Sequence, residues 1–245
     1  MKPFNWIKTL IFFFIPGILI FTLFKFAYDH LIQLGIPIYW TTFICLWFPI
    51  IIQSIIVLFL WLNSNISFNS YFWTTSISFK SFLFLFGAFL VVQILEVLLS
   101  FTRPLLFELI PFNISDNFPD IFLPSFKPDI PLDYFLGFKL KGNYFALLFW
   151  FIWLLTNITF EEFLWRGYAL PRMEMYFGKW AWLVNGFLWN FFIHFFMAWS
   201  FITLLPISLI IPYLSQKYKS WIPGLVIHGI GNSLLYILLI PSVIR

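Results

Sequence analysis

Two adjacent carboxylates, Glu161 and Glu162, follow a charge-free run over 142–160, and Arg166 comes four positions later. On a helix, Glu162 and Arg166 lie one turn apart on the same face and can form an ion pair. Glu161 points about 100° away from Glu162 and is left without that cation. A carboxylate held by a guanidinium is occupied, whereas one without such a partner can take a proton from water. The spacing divides the labour: Glu161 for chemistry, Glu162 and Arg166 for orientation. Taken alone, the motif reads slightly better as interfacial charge at a helix end.

Three further polar places break the apolar pattern. His194 is the one Asp, Glu, His, Lys or Arg between Lys179 and Lys217. By itself it reads as a packing histidine, with Asn190 one turn earlier as a hydrogen-bond partner. His228 and Asn232 are again four apart, with Gly229 and Gly231 between them. Small residues in a membrane helix usually mark close packing, and two polar side chains share that neighbourhood. Glu96 reads as an acid near a helix end or a partner for Arg103, seven positions on.

These residues sit in a chain that must position them in lipid. Of 245 residues, 62% are hydrophobic and 10% charged, with 37 Phe and 13 Trp. A soluble domain carries about 25% charged residues, and one of this size could not bury so much apolar surface. The composition excludes a cytosolic enzyme, a disordered chain, a coiled coil and a nucleic-acid-binding domain. A single cysteine, Cys45, excludes a disulfide scaffold. The fold class is all-α: a polytopic helix bundle of about seven spans, near 9–24, 37–62, 81–101, 142–160, 180–199, 200–214 and 220–244. The first span lacks a small-residue cleavage pattern after it and is expected to stay in the mature chain.

The segment from Thr102 to Lys141 differs. It holds prolines at 104, 111, 119, 124, 128 and 131 and nine charged residues, Asp129 among them. Proline at that density argues against a regular helix, so an extramembrane loop is expected, a tether or a lid. Lys2, Lys8, Lys80, Arg172, Lys179, Lys217 and Lys219 favour a cytoplasmic N-terminus and an outer C-terminus. With turns at 171–179 and 217–220, helical rise puts Glu161, His194, His228 and Asn232 within about 10 Å of one level. Independent interfacial charges have no reason to coincide in depth, so the set reads as one site.

The order EExxxR (Glu161, Glu162, Arg166), then a histidine in an aromatic helix (His194), then HxxxN (His228, Asn232) resembles the CAAX-protease and bacteriocin-processing family of intramembrane proteases, also called abortive-infection proteins. The stretch Phe177-Gly178-Lys179-Trp180-Ala181-Trp182 is similar to that family's usual continuation. The resemblance covers roughly 143–240. It divides the chain into N-terminal membrane helices with the Pro-rich loop, 1–142, and a catalytic core, 143–245. Position 190 is asparagine where the family usually has phenylalanine, and the last span of eight-span relatives is missing.

The resemblance implies peptide-bond hydrolysis in or near a membrane, here expected to be a bacterial cell membrane, on a peptide or membrane-protein substrate. It implies Glu161 as general base, His194 as its partner in holding water, and His228 and Asn232 as oxyanion donors, with Glu162 and Arg166 fixing the geometry. A zinc ion on Glu161, His194 and His228 is the metal alternative, but there is no HExxH pair, and asparagine suits an oxyanion better than zinc. The metal-free mechanism is favoured. The competing function is a non-proteolytic relative, a bacteriocin self-immunity protein or scaffold. A proton-coupled transporter is disfavoured by the lack of duplicated halves.

Overall fold

The computed structural model describes residues 1–110, 115–127 and 130–245. Pro111, Pro128 and Asp129 of the Pro-rich segment lie outside the described residues. The helices in chain order are α1 (Trp6–Thr22), α2 (Tyr28–Gln33), α3 (Ile38–Leu62), α4 (Phe68–Tyr71), α5 (Phe79–Leu99), α6 (Thr102–Leu109), α7 (Tyr144–Glu162), α8 (Leu170–Phe177), α9 (Ala181–Leu188), α10 (Leu205–Tyr218), α11 (Ile222–Ser233) and α12 (Tyr236–Ile244). Strands β1 (Tyr134–Phe135) and β2 (Phe138–Lys139) form a small antiparallel hairpin. Leu136 and Gly137, both at positive φ, make its two-residue turn.

Five helical stretches are long and apolar enough to cross a membrane: Trp6–Gln33, Ile38–Leu62, Phe79–Leu99, Tyr144–Ile193 and Ile222–Ile244. Their outward faces carry Ile7, Phe14, Ile55, Phe59, Leu83, Val97, Phe145 and Leu155. Only lipid makes such a belt affordable. The expected spans at 142–160 and 180–199 both fall in the 50-residue stretch, which reverses near Gly178 (φ +55°). Of the residues expected to span over 200–214, those from 205 on lie in α10, which is only 14 residues long. Such a helix rises about 21 Å, short of a bilayer core of about 30 Å.

Two other expectations shift. Arg172 is not in a turn. It is buried within α8, lies 3.7 Å from the Tyr168 ring centre and donates to the carbonyls of Tyr71 and Tyr168. The Pro-rich segment is not featureless either. Pro104 falls in the first turn of α6, where proline is tolerated because those amides lack intrahelical partners.

That segment forms a strap over one end of the bundle. Arg103 donates to the carbonyls of Phe122 and Leu123, and Trp199 Nε1 donates to the Phe122 carbonyl at 2.9 Å. Asp29 accepts from Ser115 and Asn117, and Arg245 pairs with Asp133. The opposite end is tied by Trp73, whose amide donates to the Gly167 carbonyl and whose carbonyl accepts from the Trp221 amide. Glu174 there pairs with Lys219 and accepts from Gln216. Between the two ends, buried polar groups face one another across α5, α7, α11 and the chain around 189–194.

Candidate active site

Glu161 and Glu162 are the last two residues of α7, and the chain continues directly into a π-helical turn over Phe163–Ala169. A second π-helical turn, Trp189–Ile193, follows α9 and ends at His194. Such turns insert a residue into the helical ladder and are frequent at functional sites. Regular helix stops there, so His194 sits at a helix end rather than in the middle of a span. Residues 195–200 form a 3-10 segment with a non-helical kink at Met197.

Glu162 and Arg166 are fully buried and pair at 3.3 Å, as their spacing predicts. The same Glu162 oxygen accepts from His228 Nδ1 at 3.1 Å. The pairing brings α11 against α7. Gly224, one turn before His228, makes room for it: a Cβ there would lie 1.8 Å from Glu162 Oε2. The Arg166 guanidinium lies 4.2 Å from the centre of the Trp189 ring, a cation–π contact that supports a charge with few polar neighbours.

Glu161 turns the other way. It is 4% exposed, and its Oε2 accepts from the Trp189 indole at 3.0 Å. It therefore has a neutral donor and, among the described residues, no ion pair. The carboxylate lines a cavity of about 350 Å³ that His194, His228 and Asn232 also line. The structure thus brings four of the six expected residues to one cavity and leaves Glu162 and Arg166 in a sealed layer behind it. Trp189 joins the two regions, with ring centres 4.6 Å from His194 and 5.7 Å from His228.

Some partners differ from expectation. Asn190 does not reach the His194 ring. Its amide donates to the Phe201 carbonyl at 2.9 Å and fixes the segment after the π-turn, while His194 Nδ1 faces the Trp189 carbonyl at 3.3 Å. Gly229 and Gly231 are not close-packing glycines, since a Cβ at either would meet its neighbours no nearer than 3.8 Å. Glu96 does not pair with Arg103. It lines the cavity and accepts from Gln93 Nε2 at 3.0 Å.

Three residues escape a reading by motif: Trp189, Gly224 and Asn157. Asn157 also lines the cavity and could have been noticed as a polar residue one turn before Glu161. Gly224 could have been noticed one turn before His228. Trp189 carries no such mark. Among the described residues, no three His, Cys, Asp or Glu side chains are grouped so as to hold a metal ion.

Residues 143–234 match the model of the Rce1-like family, described as type II CAAX prenyl endopeptidase Rce1-like. Comparisons with curated proteins and with solved structures find no match. The matched stretch starts one residue before α7 and ends just past α11, so it contains all six expected site residues. The protein is thus an integral multi-pass membrane protein whose residues 143–234 are similar to the Rce1-like domain, described as type II CAAX prenyl endopeptidase.

Proposed function

We propose that the protein is an endopeptidase that hydrolyses a peptide bond of a membrane-associated or membrane-delivered substrate in this cavity. The observation that carries the proposal is the division between neighbouring carboxylates. Glu162 Oε1 is held by Arg166 and His228 in the sealed layer, while Glu161 faces the cavity with an indole N–H as its one hydrogen-bond partner among the described residues. Glu161 takes a proton from a water molecule that His194 helps to hold. The resulting hydroxide attacks the scissile carbonyl carbon, and the proton passes from Glu161 to the leaving amine.

Oxyanion charge is met by Asn232 and His228. Because His228 donates through Nδ1 to Glu162, only Nε2 remains for the substrate. It donates there when the ring is an imidazolium, a state for which Glu162 is the counter-charge. Trp189 fixes the carboxylate that acts as base, and Arg166 fixes the carboxylate that holds His228.

The test compares peptide termini in membranes carrying the wild-type protein or Glu161→Gln at matched levels. Termini found only with the wild type are expected and would give the substrate. Identical termini, with the cellular phenotype still rescued by the variant, would leave a non-proteolytic immunity or scaffold protein.

A further inference from the structure

Glu96 lies outside the family-matched residues, on α5, and the mechanism above does not use it. An acid inside a membrane span is expensive to keep, and among the described residues no basic side chain forms an ion pair with this one, although His228 lines the same cavity. One of its oxygens, Oε2, accepts from Gln93 Nε2 at 3.0 Å, one turn earlier on the same helix. The other, Oε1, is buried and has no hydrogen-bond partner among the described residues. Arg103, the nearest basic residue in sequence, is spent on the carbonyls of Phe122 and Leu123 at 3.1 and 3.4 Å.

Gln93 and Glu96 nevertheless line the same cavity as Glu161, His228 and Asn232. The α5 and α11 helices pack together, with Gly231 facing Gln93: a Cβ there would lie 3.8 Å from Gln93 Nε2. The cavity and the layer behind it hold three carboxylates, Glu96, Glu161 and Glu162, against one guanidinium, Arg166. A carboxyl group on a cavity with apolar walls is a docking point for a cationic side chain. Trp150 and Trp153, on the same lining, suit the aliphatic stem of lysine or the plane of arginine.

We propose that Glu96, seated by Gln93, selects substrates that carry a lysine or arginine side chain close to the scissile bond. The inference rests on the endopeptidase reading and names its substrate class. A cavity of about 350 Å³ holds only a few side chains, so a cation that reaches Glu96 belongs to a residue near the bond that reaches Glu161. The incoming cation gives Glu96 a direct ion-pair partner, which none of the described residues supplies. Glu96 does not touch the reacting atoms, so it is a specificity residue.

The test uses the full chain in liposomes and a library of ten-residue apolar peptides. Each position in turn carries Lys, norleucine or Glu, and products are read by mass spectrometry. Wild type is expected to favour Lys over norleucine at one position by about tenfold or more in kcat/KM. In Glu96→Gln that ratio should fall to about 1, and Glu96→Lys should favour Glu at the same position. Each ratio is internal to one variant and does not depend on how much protein is folded. A wild type that cleaves none of the peptides would overturn the endopeptidase reading itself. A wild type that cleaves without charge preference, or a Glu96→Gln that keeps it, would overturn the selectivity and leave the protease standing. A folded Glu96→Gln protein that cleaves no peptide would assign Glu96 to the chemistry and also overturn the inference.

Discussion

Glu161 and Glu162 are neighbours in the chain but belong to two regions with opposite demands. Glu162 lies in a sealed layer with Arg166, His228 and the notch at Gly224, where each group is the partner of another. Glu161 lies on the cavity wall, with Trp189 behind it and His194, His228 and Asn232 around the same space. The layer contributes to the fold because an unmatched charge there has nowhere to go. The wall contributes chemistry because its groups face a cavity that a substrate can enter. His228 and Trp189 belong to both: His228 reaches Glu162 and lines the cavity, and Trp189 donates to Glu161 and lies against Arg166.

The comparison breaks most sharply at the two carboxylates themselves. Glu162→Gln leaves the Arg166 guanidinium buried without a charge partner. It should lower stability by about 3–5 kcal/mol, read as thermal unfolding in detergent, and abolish cleavage as well. Glu161→Gln removes basicity from a group that has no ion pair. Its rate should fall about 10²–10⁴-fold while unfolding stays within about 0.5 kcal/mol of wild type. Equal stability losses from the two variants would show that the regions are not distinct.

Trp189→Phe sharpens the comparison at the junction. It removes the indole donor to Glu161 but keeps an aromatic ring against Arg166. A hydrogen bond to a charged group is worth about 1.5–3 kcal/mol. The expected result is a rate loss of roughly 10- to 100-fold per folded molecule, with the ion pair behind it intact. If the rate is unchanged, Glu161 is oriented by something other than Trp189.

How much of this was legible in sequence follows the same division. The Glu162–Arg166 pair and the His228–Asn232 face were readable because helix geometry turns a spacing of four into proximity. The convergence of Glu161, His194, His228 and Asn232 was readable because polar side chains in apolar spans must be buried together. Trp189 was not, being one of 13 tryptophans with no local feature to set it apart. Nor was the role of Glu96, since spacing along α5 points it towards Arg103 and only the packing of α11 points it towards the site. Arg172 was read as a turn residue because local charge says nothing of the Tyr71 and Tyr168 rings that cover it. Counting spans by charge-free runs measures interruptions in charge. It does not measure helix ends, which is why 200–214 reads as a span and folds as the short α10.

The glycines of α11 give the finest contrast, because one substitution seven positions apart should have opposite signs. At Gly224 a Cβ would meet Glu162 Oε2 at 1.8 Å and its Cδ at 2.3 Å. The carboxylate cannot yield without leaving Arg166 and His228, so Gly224→Ala should destabilise by about 1–3 kcal/mol. At Gly231 the nearest atoms to a Cβ are Gln93 Nε2 and Phe89 Cε2, both at 3.8 Å, which is ordinary van der Waals distance. There the added methyl meets no obstacle, and replacing glycine in a helix interior reduces the freedom of the unfolded chain. Gly231→Ala should therefore stabilise by about 0.5 kcal/mol. Paired thermal unfolding curves in one detergent decide the matter. A loss at both positions would mean that the α5–α11 contact is as tightly fitted as the sealed layer, and that the Gln93–Glu96 wall is part of the fold's rigid core.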